Sequence, residues 1–109
     1  MAAAAEEVLE FYYMDETELR QWVEANPGRV NDIDRNRNGH TPLIAAACHR
    51  DSQSLVVWLL EEKGADVNAL SRDGNTPLHI ASSPDVITAL LDRGADPARV
   101  NNHSSSPLM

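Results

Sequence analysis

Gly39-His40-Thr41-Pro42-Leu43 returns as Gly74-Asn75-Thr76-Pro77-Leu78, and Gly64-Ala65-Asp66 returns as Gly94-Ala95-Asp96. The first pair starts 35 residues apart and the second 30. A period in this range marks a chain of stacked supersecondary units, each too small to bury its own apolar face. The repeated residues are punctuation. Thr41 and Thr76 are suited to accept a hydrogen bond at a helix N-cap, with Pro42 and Pro77 at the first helical position. Gly64 and Gly94 are placed to close the following helix, and Gly39 and Gly74 to turn the chain before the threonine.

Counting back from each closing glycine assigns the apolar faces. The middle unit offers Leu55, Val56, Trp58, Leu59 and Leu60, with Val57 outward. The next offers Val86, Ile87, Ala89, Leu90 and Leu91, with Thr88 outward. Upstream the same slots hold Leu19, Arg20, Trp22, Val23 and Glu24, with Gln21 outward and Pro27 in the glycine slot; Val30-Asn31 matches Val67-Asn68. A degenerate first unit therefore precedes two clear ones. Its helices are expected over residues 3–13 and 15–25, with Arg20 and Glu24 meeting water as in a terminal repeat. Trp22 and Trp58 share one slot in this register and are expected to pack near each other in the core or at its edge. The last unit is short: Thr76 to Gly94 covers 18 residues, against 23 from Thr41 to Gly64. Its first helix is predicted to end before Pro84.

These motifs resemble those of the ankyrin-repeat family, strongly from Gly39 to Asp96 and weakly out to Thr17 and Leu108. The resemblance implies an all-α solenoid of helix pairs joined by β-hairpin-like turns. It divides a single domain into a degenerate cap (1–34), a full repeat (35–70), a shortened repeat (71–100) and the start of an incomplete repeat or tail (101–109). It also implies non-catalytic protein binding through hairpin tips and the exposed face of each first helix. On this chain it nominates Arg35, Arg37, Asn38, His40, Cys48 and His49, then Leu70, Arg72, Asp73, Asn75 and Ser83. Arg37 and Arg72 share the slot two residues before the turn glycine. With helices stacked about 8–10 Å apart, they start a ladder suited to carboxylates or phosphates; Arg99 leads into the third hairpin. A solvated tip that tolerates arginine is the plainer reading. Leu70 stands out as an apolar tip residue. By the same resemblance Asn68, eight residues after Leu60, matches a possible hydroxylation site, although bonding to the hairpin backbone explains it more simply. The resemblance also gives His79 a structural hydrogen bond, which Ile44 in the equivalent slot cannot make.

Charge narrows the partners. The formal charge of −8 argues against nucleic acid. Seven carboxylates face Arg20 alone in the first 24 residues, so the cap is acidic. One cysteine, Cys48, allows no internal disulfide and suits a reducing compartment, cytoplasmic or nuclear. The N-terminal stretch lacks a basic region before its first carboxylates, and no run reaches membrane-spanning length. Cys48 and His49 are neighbours and diverge by about 100° on a helix. With no Cys-x-x-Cys or phosphate loop, the expectation is no catalysis, no metal and no cofactor.

Ser106-Pro107-Leu108 mimics Thr-Pro-Leu, so the chain reaches Met109 where another helix begins. Leu78, Ile80 and Leu90 are then expected to be partly exposed at the open end. The rival function follows: a structural subunit docking by that end into a larger assembly or a second copy. Coverage by residues 97–105 is the third option. Three units lie near the minimum for a stable stack.

Overall fold

The computed structural model describes residues 11, 14–33, 39–49, 52–99 and 101–102. Five helices run through them: α1 (Glu16–Ala25), α2 (Pro42–Cys48), α3 (Gln53–Glu62), α4 (Pro77–Ile80) and α5 (Pro84–Asp92), with a 3-10 turn at Pro27–Arg29 after α1. No strand occurs among the described residues. α2 packs on α4 and α3 on α5, while α2 meets α3 and α4 meets α5 within their units. First helices thus form one layer and second helices the other.

The punctuation acts as its chemistry requires. Thr41 Oγ1 accepts from the Ile44 amide at 3.1 Å, and Thr76 Oγ1 accepts from the His79 amide at 3.3 Å. Pro42 and Pro77 open their helices. Asp15 caps α1 in a closed box with Glu18. Gly39 and Gly74 adopt φ of 63° and 79°, and each also lacks a Cβ where there is no room for one. An added Cβ would lie 2.7 Å from Arg72 Cγ at Gly39, and 2.6 Å from Asn102 Oδ1 at Gly74. Each turn is thus overlain by the following hairpin.

The core centres on α2, where Pro42 to Ala47 are all buried. Three consecutive alanines, Ala45, Ala46 and Ala47, let neighbouring backbones approach closely. Leu55, Val56 and Leu59 from α3 and Val86, Ala89 and Leu90 from α5 complete it.

The register of the middle unit differs from the sequence expectation by one residue. Burial follows a 30-residue offset, pairing Val56 with Val86, Val57 with Ile87, Trp58 with Thr88 and Leu59 with Ala89. Val57 is therefore half-buried rather than outward. Leu55 to Leu60 is unbroken apolar sequence, which has no period to fix a face, and a one-residue slip rotates the face by about 100°. Trp58 shares its slot with exposed Thr88, and Trp22 shares its own with Leu59 and Ala89. The two rings keep separate company. Trp22 meets Phe11 edge-on at 4.7 Å and lies under Arg29. Trp58 lies between Arg20, 4.8 Å from its centroid, and Lys63 at 5.3 Å. Arg20 and Glu24 consequently turn toward the next unit rather than an outer face.

The exposure expected at the C-terminal end holds for Ile80 and is corrected for the two leucines. Leu78 and Leu90 retain 2% and 0% of their surface, and Ile80 is half-buried. Both leucines point inward, against the α2–α3 pair. The large side chain exposed on α5 is Leu91, at 36%.

Candidate interaction surface

The surface divides into hairpin loops, the short first helices and the outer face of the second helices. In the middle loop, Ser71 Oγ accepts from the amides of Asp73 and Asn75 at 3.3 and 3.2 Å. This pins the tip from below. The following chain covers part of it. Asn102 donates its amide to Asp73 O at 3.0 Å, and Asn101 Nδ2 donates to Asn75 Oδ1 at 2.8 Å. Asp73 and Asn75 are consequently half-buried. Arg72 is exposed as a residue, yet its stem and guanidinium fold against Gly39. Arg35, Arg37 and Asn38 lie outside the described residues, and with them the lower rung of the expected arginine ladder.

Leu70 projects with 38% of its surface exposed, as an apolar tip residue should. Ile33, at 42%, is the more exposed one and escaped the sequence reading. Its signal was present: Ile33 and Leu70 both stand two residues after the asparagine of a Val-Asn pair, and Val100 holds that slot in the third hairpin.

The first helices offer less than expected. His40 is 7% exposed and belongs to the interior beside Thr41. Cys48 and His49 are half-buried at the end of α2, where the backbone carbonyl of Cys48 accepts from Ser82 Oγ and that of His49 from Ser52 Oγ. Burial pushes the Cys48 thiol up to about 11, which keeps it protonated at neutral pH and lowers its reactivity. Ser83 serves as the N-cap of α5, accepting from the Val86 amide. His79 Nδ1 accepts from the Thr76 amide at 3.0 Å and lies 2.9 Å from its hydroxyl, closing the capping box of α4. Among the described residues, no three His, Cys, Asp or Glu side chains converge on one point.

Asn68 has both ends of its amide committed. Nδ2 donates to Gly94 O at 3.4 Å and Oδ1 accepts from the Asp96 amide at 3.2 Å. Asn31 does the same one unit earlier, to Gly64 O at 3.3 Å and from Asp66 at 2.7 Å. These side chains stitch unit to unit. On the outer face, a shallow groove of about 390 Å³ is lined by Arg20, Gln53, Ser54, Val57, Trp58 and Glu62. Its cation, Arg20, is already engaged with Glu16 at 2.9 Å, and Lys63, stacked on Trp58, pairs with Glu24 at 3.2 Å.

This geometry of capped helix pairs, left-handed turn glycines and asparagine stitches has a counterpart in sequence. The profile of ankyrin repeats, in three copies, matches residues 1–101. The chain belongs to the ankyrin-repeat family. Its ankyrin repeats are 43% identical to protein fem-1 homolog A of Danio rerio over 76 residues, which is 56% of this chain and 12% of that protein. They are 34% identical over 87 residues to protein phosphatase 1 regulatory subunit 12A of Mus musculus, covering 77% and 8%. An L-asparaginase of Dirofilaria immitis is 34% identical over 84 residues, covering 74% and 14%. The chain thus spans a small fraction of each of these relatives. Ankyrin repeats generally mediate protein–protein interaction and are typically non-catalytic. No helix among the described residues is long and apolar enough to cross a membrane.

Proposed function

We propose that this ankyrin-repeat chain is a non-catalytic protein-binding module whose contact surface is the row of hairpin loops. The observation that carries this reading is the pair Ile33 and Leu70. Two large apolar side chains stand exposed in the same slot of successive loops, and the loop that follows Leu70 is pinned by the next hairpin. Exposed apolar anchors on a rigid frame bind with little ordering cost. Arg72 and Asp73 flank the row and supply polar contacts that orient a partner. The concave first-helix face contributes little beyond Cys48 and His49, since α2 is consumed by the core.

Affinity capture with the wild-type chain, compared quantitatively with Ile33→Glu and Leu70→Glu, tests the reading. The reading expects a common set of bound proteins that both substitutions remove while helical content stays unchanged. Retention of every specific partner by both variants would sink the loop-row model.

A further inference from the structure

Each junction in the stack is closed by the same two polar links, and the third unit carries neither. Three residues before the closing slot, Glu24 reaches Lys63 at 3.2 Å, and Glu61 takes Arg93 Nε at 3.0 Å together with its Nη2. Lys63 and Arg93 both stand immediately before the glycine of the following unit. Four residues after the closing slot, Asn31 and Asn68 make the amide stitches described above. In the third unit these two positions hold Leu91 and Ala98. Leu91 is exposed, and Ile87, one turn earlier on the same ridge, is half-buried.

A fourth unit built like the others would bring a cation onto Leu91 and find no amide at Ala98. A solvent-facing end would keep charge in the slot where Glu24 and Glu61 stand. The ridge meets neither description. It is nevertheless the same face through which the first and second units contact their successors, so it continues an established interface with altered chemistry.

We propose that this ridge, Ile87 and Leu91 on α5, is closed by a second copy of the chain across a two-fold axis. An isologous contact sets each side chain near its own equivalent, which an apolar ridge accepts and a charged one resists. Head-to-tail stacking would instead press Leu91 onto the acidic first unit, whose corresponding slot before Pro27 is the polar Asn26. The contact therefore ends at two chains rather than growing into a filament.

Light scattering of the full 109-residue chain over a micromolar to near-millimolar series tests this. The expected result is a mass that rises from one chain to two and stops there. Leu91→Glu should weaken dimerisation by about tenfold or more, with Leu91→Gln intermediate and Leu70→Glu without effect. Circular dichroism of each variant checks the fold. A monomer at every concentration, growth beyond two chains, or a dimer indifferent to Leu91→Glu would each overturn the proposal. Because loop variants and ridge variants are read in separate assays, failure here leaves the partner-binding result to stand or fall alone.

Discussion

The middle and third units share their punctuation and differ in what holds them together. Both open on a capping threonine and a proline, and both close on a left-handed glycine. Between those marks α2 has seven residues with six buried, whereas α4 has four, of which Pro77 and Leu78 are buried. The contrast is sharpest in one slot, three residues after the threonine. Ile44 there is fully buried in the core, and His79 instead closes a hydrogen-bonded box on Thr76. The second helices repeat the theme, with Leu59 in the middle unit where the third has Ala89. Packing supports the middle unit; caps support the third. Core volume is what the shorter repeat gave up, and a histidine ring that fixes the helix start is what it gained.

The widest separation should come from that shared slot. Ile44→Ala removes a fully buried branched side chain and should cost about 3 kcal/mol of global stability. His79→Ala, which opens the capping box, should cost about 1 kcal/mol. Urea denaturation of both variants measures the gap. Equal losses would mean that the third unit is packed as firmly as the middle one.

A smaller difference should appear between two glycines that flank the middle unit. Gly39→Ala and Gly64→Ala share the penalty of placing a Cβ at positive φ, about 1–2 kcal/mol. Only at Gly39 does the new methyl also meet Arg72; nothing lies within 4 Å at Gly64. Gly39→Ala should therefore be the more damaging by about 1 kcal/mol, again by urea denaturation. If the two match, the third unit's hairpin does not rest on the middle unit as tightly as its geometry says.

The smallest effect belongs to Cys48 at the end of α2. Its thiol holds its proton up to about pH 11 in the fold, against 9.0 ordinarily. The folded state binds this proton more tightly, so the Cys48 contribution to stability is level below pH 9 and is lost as pH rises through 9 to 11. Alkylation at pH 8 should accordingly be slower in the folded chain than in urea. Equal rates would place Cys48 outside the packed end of α2.

Much of this molecule was legible in residues whose role is local. Thr41, Pro42, Thr76, Pro77 and the four turn and closing glycines announce helix starts and stops through their own covalent chemistry, and the structure uses them so. Pro84 likewise forced the short α4. The loop anchor was half legible: Leu70 is plain in the sequence, while Ile33 emerges only when slots are counted from the Val-Asn pair. Ser83 stands among the expected contact residues by its slot, yet its place before Pro84 is that of an N-cap. His40 stands beside the expected tip contacts in sequence, yet the adjoining buried helix draws it inside.

What the sequence determined alone was the repeat, its boundaries in helix caps and turns, and the family. These depend on backbone preferences and hydrogen-bonding groups that act within a few residues. Tertiary structure alone decided which face of Leu55 to Leu60 turns inward, because an uninterrupted apolar run is consistent with every helical phase. It decided too that Arg20 and Glu24 bind the next unit, that Leu78 and Leu90 are interior, and that Leu91 is not. Those outcomes depend on which neighbour arrives from some thirty residues away, and only the stacked units bring it there.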